Sequence, residues 1–323
     1  MTKMHFNDLY TLFEEKLLAV GFTEEKANLL ATIFAENTRD GVQSHGIGRF
    51  PRFVKQVADG IVHRDAEPSL VSKSGLLEQW DGNKGPGPLN ARASMHRAME
   101  LAREHGIGMV ALRNTTHWMR GGTYGRMAAE AGFGAICWTN TVANMSPWGC
   151  KTRAIGNNPL VMALPGPEHP IVLDMAMSQF SYGKMELLAA EGGTLPYPGG
   201  FDQQGDLTKD PKAILETAQV LPIGMWKGSG LSIMLDLFAS TLSGGACTSD
   251  ISTYEDNSSQ LYMAFRLDTQ TSVAHALASM QAACAENNET FVYPGLGVAR
   301  TRQRSETEGV SIPEPALQAV HDL

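Results

Sequence analysis

The sequence predicts an α/β protein with a helical N-terminal lobe, on three observations. Apolar residues recur at helical spacing through the first 58 positions. From Gly108 onward, short apolar runs of strand length alternate with helical stretches. Clusters of glycine and proline separate the two kinds of segment. With 323 residues, 43% of them hydrophobic, the chain can bury a substantial core and form more than one lobe.

Phe6 to Val20 reads as a helix closed by Gly21, and Thr23 caps a second helix through about Asn37, with Glu24 and Glu25 in its first turn. After a glycine-rich loop, Pro51 to Ala58 forms a third helix that Gly60 ends. Ser69 to Ser72 and Leu77 to Trp80 are β-like. Gly85-Pro86-Gly87-Pro88 then breaks the chain before a long helix from Leu89 to about His105. Met109 to Leu112 and Ala135 to Trp138 are strand candidates on either side of a helix near Tyr124 to Ala131. Leu160 to Leu164 and Ile171 to Leu173 continue the strand pattern, and Gln179 to Ala190 returns to helix. Leu195 to Lys209 is a loop rich in Gly, Pro and Asp, and Gly228 to Leu242 is a Leu- and Met-rich amphipathic helix. A strand over Leu261 to Leu267, a helix over Thr271 to Ala285 and two short helices beyond Gly297 complete the chain.

The net charge is −8, the pI is near 5.6, and no run of basic residues occurs, which argues against nucleic acid or an anionic membrane as partner. An anionic substrate therefore needs a local basic pocket. Cys137, Cys150, Cys247 and Cys284 lie far apart with no C-x-x-C spacing, so they read as reduced thiols rather than a disulfide framework or zinc site. The first residues lack the apolar stretch of a signal peptide, and Asp236 interrupts the apolar run after Gly230. A soluble, cytoplasmic protein is expected.

The densest chemistry lies in the loop from Gly41 to Pro51. Within six residues it presents the Ser44 hydroxyl, the His45 imidazole and the Arg49 guanidinium, braced by helices on both sides. A histidine titrates near neutral pH and an arginine grips a carboxylate through two parallel hydrogen bonds, so the trio pairs a proton donor with an anion clamp. A capping serine with a surface histidine and arginine is the plainer alternative. His117 follows a strand candidate, where loops often hold ligands, although a buried structural histidine fits equally well. Thr141 ends the next strand in the same way, and the Gly156-Asn157-Asn158-Pro159 turn supplies amides for a substrate or a nicotinamide. Asp174, after Ile171-Val172-Leu173, can orient a histidine or cap a helix. Lys227 opens the Gly228 helix, a place suited to phosphate, or is simply solvated. Gly85-x-Gly87 and Gly228-x-Gly230 begin like G-x-G-x-x-G but end in Asn90 and Ile233, so motif alone gives no nucleotide site. His45, His117 and Asp174 also allow a metal triad of a hydrolase, and a sugar-acid binding protein without catalysis is a third reading.

Longer stretches carry a resemblance. Ser44-His45-Gly46 with Arg49-Phe50-Pro51-Arg52-Phe53, His117-Trp118-Met119-Arg120-Gly121-Gly122, Phe180-Ser181-Tyr182-Gly183 and Trp226-Lys227-Gly228-Ser229-Gly230 resemble the malate/L-lactate dehydrogenase family. The resemblance covers nearly the whole chain, weakens after about Gly244, and favours the branch acting on a diketo sugar acid. It implies the family's own non-Rossmann α/β fold, a homodimer, and NADH as cofactor with NADPH as the alternative. It implies a helical lobe over residues 1–106 carrying the Ser-His-Gly loop, and a region for cofactor and dimerisation over 107–300. Helices over 301–323 would pack back on the lobe. His45 matches the family's proton donor, Ser44 its hydroxyl partner and Arg49 the carboxylate clamp; His117 and Asp174 match catalytic groups of some relatives. Cofactor contacts map to Pro170, Ile171, Val172, Leu173, Asp174, Met175 and Ala176, to Trp226 and Lys227, and to Gly295, Leu296 and Gly297. The last segment departs from the family, because Pro294-Gly295-Leu296-Gly297 lacks the acid common there. A 2-keto-acid dehydrogenase of malate or lactate type is the alternative on the same scaffold.

Overall fold

The structure is a computed structural model that describes residues 1–267 and 271–323. It begins with β1 (Thr2–Met4), α1 (Phe6–Ala19) and α2 (Glu24–Arg39), where the Thr23 hydroxyl accepts the Lys26 N–H as the sequence leads one to expect. A short turn over Gln43–His45 leads into α3 (Phe50–Ala58), β2 (Ser69–Ser74), β3 (Leu77–Asp81) and α4 (Gly87–His105). Next come β4 (Ile107–Thr115), α5 (Gly121–Glu130), β5 (Phe133–Thr139), β6 (Leu160–Leu164), β7 (Ile171–Met175) and α6 (Tyr182–Ala190). Two short strands, β8 (Gly200–Phe201) and β9 (Leu207–Thr208), precede α7 (Pro211–Thr217) and α8 (Trp226–Ser243). The chain ends with β10 (Ser258–Arg266), α9 (Thr271–Ala285), α10 (Leu296–Glu308), β11 (Val310–Ile312) and α11 (Glu314–His321).

The main sheet has seven strands in the order β2-β3-β4-β10-β5-β6-β7, and only β3 and β4 pair in parallel. β10 inserts antiparallel between β4 and β5, so the sheet differs from the all-parallel one of the doubly wound dinucleotide folds. The pleat assigns its faces. Val110, Leu112, Tyr262 and Ala264 face α4 and α5, whereas Ala111 and Leu261 face α8. The N-terminal helices make a separate core, in which the Phe13 and Phe50 rings lie 4.4 Å apart and Phe34 meets Phe50 edge-on. Val310, Ile312 and Val320 enter that same core, because β11 pairs with β1 at the far end of the sequence.

Several boundaries differ from the sequence reading for local reasons. α4 begins at Gly87 rather than Leu89, since Pro88 suits a first turn. α6 begins at Tyr182 rather than Gln179, because the Ser181 hydroxyl accepts the Lys184 N–H and fixes the start there. β1, β8, β9, β11 and α7 were not expected; the strands have only two or three residues, β8 and β9 lying within the stretch read as a loop, and α7 has only seven residues.

The lobes are joined through Asp40, just past α2 and only 3% exposed. Arg120 reaches its Oδ2 at 2.9 Å, Arg302 reaches both oxygens at 2.9 and 2.7 Å, and Arg39 lies at 3.3 Å. Burial pushes the Asp40 carboxyl up, but the Arg302 hydrogen bond and the three guanidinium charges outweigh it and bring it down to about 2. Its stabilisation is therefore complete above the ordinary value of 3.8 and is lost as pH falls through about 2. Asp40→Asn should cost about 3–5 kcal/mol, the range for breaking a buried ion pair from one side. Urea unfolding at pH 7 measures that loss, and the variant should also lose part of the wild-type destabilisation in acid.

Candidate active site

The sequence around His45 forms a tight turn because it has no room to do otherwise. A Cβ on Gly46 would lie 2.7 Å from the Thr38 backbone nitrogen, so the turn seats directly on the end of α2. The Thr38 hydroxyl accepts the Ile47 N–H at 2.9 Å, and Asn37 donates to the His45 carbonyl at 3.1 Å while accepting from Thr123 of α5. His45 is thus fixed relative to both lobes. The Ser44 hydroxyl lies 3.0 Å from its Nδ1.

His117 arrives from the end of β4, on a turn in which Asn114 and Met119 have left-handed backbones. Its ring lies 5.8 Å from that of His45 and nearly parallel to it. The Met119 N–H donates to His117 Nδ1 at 3.0 Å, so this nitrogen is an acceptor and the ring proton sits on Nε2. Burial and then the Arg49 and Arg120 charges bring His45 down to about 4, and burial with Arg49, His45 and Arg52 holds His117 well below the ordinary range. In the free protein both imidazoles are neutral at neutral pH.

Asp174 stands elsewhere on the same wall. It accepts the Gly122 N–H at 2.8 Å at the start of α5, and Arg120 approaches it at 3.8 Å. A Cβ on Gly122 would lie 2.7 Å from its Oδ2, so only glycine admits this contact. Burial raises the Asp174 carboxyl, against the Arg120 charge and the Gly122 hydrogen bond. Among the described residues it has no hydrogen bond to either histidine; the group touching His45 is Ser44. No cluster of three His, Cys, Asp or Glu side chains able to hold a metal occurs among the described residues.

These groups line one cleft of about 1450 Å³, larger than the roughly 300–1,000 Å³ of ordinary small-molecule pockets and ample for a dinucleotide beside a substrate. Of the residues singled out from the sequence, Ser44, His45, Arg49, His117, Thr141, Pro170, Val172, Leu173, Asp174, Ala176 and Gly295 line it. Gly295 has φ +94°, and a Cβ there would meet the Val172 nitrogen at 3.0 Å; the Pro294 carbonyl accepts that N–H at 3.3 Å. Ile171 and Met175 do not line the cleft, nor do Leu296 and Gly297. Trp226 and Lys227 lie outside it too, exposed at the start of α8 with the ammonium 5.9 Å from the indole centroid. Among the lining residues that escaped the sequence reading are two that meet Arg49 or its contacts, Arg52 and Glu255. The i, i+3 spacing of Arg49 and Arg52 was the available signal for the first. For Glu255 there was none.

Residues 4–321 match the family described as malate/L-lactate dehydrogenase. The chain belongs to that family. It is an oxidoreductase that uses a nicotinamide cofactor. It is 43% identical over 335 residues to 2,3-diketo-L-gulonate reductase from Citrobacter koseri, covering 99% of this chain and all of that one. The protein of the same name from Klebsiella pneumoniae is 42% identical over 334 residues, with the same coverage. Among solved structures, delta1-piperideine-2-carboxylate reductase from Pseudomonas syringae superposes with a TM-score of 0.88 at 26% identity, covering 100% of this chain and 99% of that one. Sulfolactate dehydrogenase from Methanocaldococcus jannaschii superposes with a TM-score of 0.90 at 24% identity, over 99% and 96%, which shows the shared fold. No helix among the described residues is long and apolar enough to cross a membrane.

The charge arrangement makes a direct prediction. The His45 ring should titrate near pH 4 in the free protein, and Arg49→Met should move it upward by removing a neighbouring cation. An NMR titration of the imidazole resonances measures both.

Proposed function

We propose that the protein is a reductase of 2,3-diketo-L-gulonate, giving 3-dehydro-L-gulonate with NADH in the cytoplasm. The observation that carries this reading is the placement of His45, bonded to Ser44, in one cleft with Arg49 and His117. The full-length likeness to proteins named for that reaction supports the substrate. A malate- or lactate-type activity remains the alternative on this scaffold, and a substrate panel separates the two.

The cofactor, when bound, supplies the hydride that reduces the C2 ketone. The chain supplies orientation, charge and a proton. Arg49 holds the substrate carboxylate through its guanidinium and thereby fixes the adjacent carbonyl. As an imidazolium, His45 donates Nδ1–H to Ser44 Oγ and gives the Nε2 proton to the developing alkoxide. His117 is unsuited to that role, because its Nδ1 already accepts the Met119 N–H and a second ring proton would break the bond. Its Nε2–H instead donates a hydrogen bond to substrate oxygen. His45 is too acidic in the empty cleft to hold a proton at neutral pH. An anionic carboxylate beside Arg49 offsets the cation and raises it towards the working range.

The cleft is also lined by Arg126, Glu168, Arg302 and Glu306. Arg302 is committed to Asp40 and Arg126 to Glu36. A ribose 2′-phosphate would meet carboxylates rather than free guanidiniums, which favours NADH. The exposed apolar face of α8, with Trp226 66% and Phe238 50% exposed, supports a homodimer formed through that helix. A cofactor contact from Trp226 or Lys227 would run through this pairing rather than through the cleft of one chain.

His45→Ala should leave NADH binding nearly intact and lower turnover by at least about two orders of magnitude, the range for losing a general acid. Near-normal turnover, with His117→Ala inactive, would transfer the role to His117. For the cofactor, kcat/KM with NADH should exceed that with NADPH by tenfold or more; equal use of both would overturn the assignment.

A further inference from the structure

Arg49, the proposed carboxylate clamp, does not stand free. Its Nη2 contacts Glu255 Oε2, and Arg52 Nη2 reaches the same oxygen at 3.2 Å. Both arginines and Glu255 line the cleft. Glu255 lies on the segment between α8 and β10, and its backbone has φ +60°, an uncommon conformation for a residue with a side chain. That conformation persists because the segment is tied down on both sides. Arg52 donates to the Thr253 carbonyl at 3.0 Å and Gln56 to the Tyr254 carbonyl at 2.8 Å. Ser252 bonds Asp256, which Lys84 holds at 2.8 Å. Arg49, Arg52 and Gln56 share one face of α3, so a single helix fixes both the guanidiniums and the backbone that carries the acid.

We propose that Glu255 is a positioning residue for the reaction, holding Arg49 in the orientation that receives the substrate carboxylate. The proposal rests on the reading of Arg49 as the carboxylate clamp. Two features favour positioning over a carboxylate that must be expelled before substrate binds. The Glu255 backbone is braced rather than loose. The contact uses one nitrogen of Arg49, and its Nε and Nη1 have no protein partner among the described residues. Glu255 also lowers the net positive charge facing the histidines. The cations acting on His45 are Arg49 and Arg120, and Arg52 joins Arg49 at His117; Glu255 is the acid paired with Arg49 and Arg52, while Arg120 faces Asp40 and Asp174.

The test is Glu255→Gln, which keeps shape and removes charge, measured on a 2-keto sugar acid and on its neutral methyl ester. The expected result is a KM for the acid raised at least tenfold, with NADH affinity and the KM for the ester unchanged. The pH profile of kcat/KM should shift to lower pH, as His45 loses its distant counter-charge. Glu255→Asp should recover part of the loss. In an Arg49→Lys background the same substitution should add little, because its effect passes through Arg49. A lowered KM would show that Glu255 competes with substrate, and an unchanged KM would make it a surface pin; either overturns the proposal. Equal losses on acid and ester would show a collapsed turn and overturn it too. If Glu255→Gln fails to fold, Arg52→Gln leaves the Arg49 contact in place and should spare the KM for the acid; a tenfold rise there overturns the assignment to Arg49. A wild-type enzyme that turns over acid and ester equally well defeats the clamp reading itself, an outcome separate from any result with Glu255.

Discussion

The structure depends on one carboxylate in an unfavourable place. Asp40 follows the C-terminal end of α2, where the helix dipole disfavours negative charge, and it is almost wholly buried. Alone it would be costly. Arg39, Arg120 and Arg302 offset both costs, and they come from three distant parts of the chain. The N-terminal helices, the loop entering α5 and the C-terminal α10 are thereby locked in one arrangement. Arg120 also faces Asp174, so the ion pair that joins the lobes is continuous with the wall of the cleft.

The cleft itself is a problem in charge balance on a chain of net charge −8. Arg49 and Arg52 make a local positive site, which an anionic substrate needs and which neighbouring imidazoles resist. The outcome in the empty protein is two neutral rings, one of them brought down to about 4. In the proposed reaction a substrate carboxylate adds a further negative charge beside Arg49, so His45 would be charged most readily when there is something to protonate. Ser44 permits that change because its hydroxyl can accept from Nδ1 as well as donate to it. The Met119 amide beside His117 can only donate.

The parts of the site legible in the sequence are those built from neighbouring residues. Ser44, His45 and Arg49 occupy one turn, and the glycines and proline that shape it are visible at a glance. Val172 and Asp174 follow from an apolar run long enough to be a strand. Glu255 could not be found this way, because it meets Arg49 across 206 positions and sits in a polar stretch without periodicity. β1 and β11 were hidden for the same reason: three residues carry no pattern, and their pairing joins the two ends of the chain. Lys227 is a different case. A lysine at a helix start is a local signal for phosphate, but in the single chain that helix start is exposed and does not line the cleft, so whether a phosphate meets it depends on contacts no local pattern encodes.

The start of α5 shows why no glycine-rich fingerprint was present to be read. In doubly wound folds the positive end of a helix after the first strand faces the cofactor pyrophosphate. Here Gly121 and Gly122 also open a helix after a strand and line the cleft, but the Gly122 N–H is taken by Asp174 from within the chain. The glycine is required by the approach of a carboxylate rather than of a phosphate, which explains its presence without the accompanying motif. With its Gly122 N–H taken by Asp174, that helix end is not free in the way a pyrophosphate-binding helix end is. The cleft is lined instead by residues from the β7 edge, the segment at Gly295 and the loops around them, and a wall drawn from such separate places leaves no compact signature in a sequence.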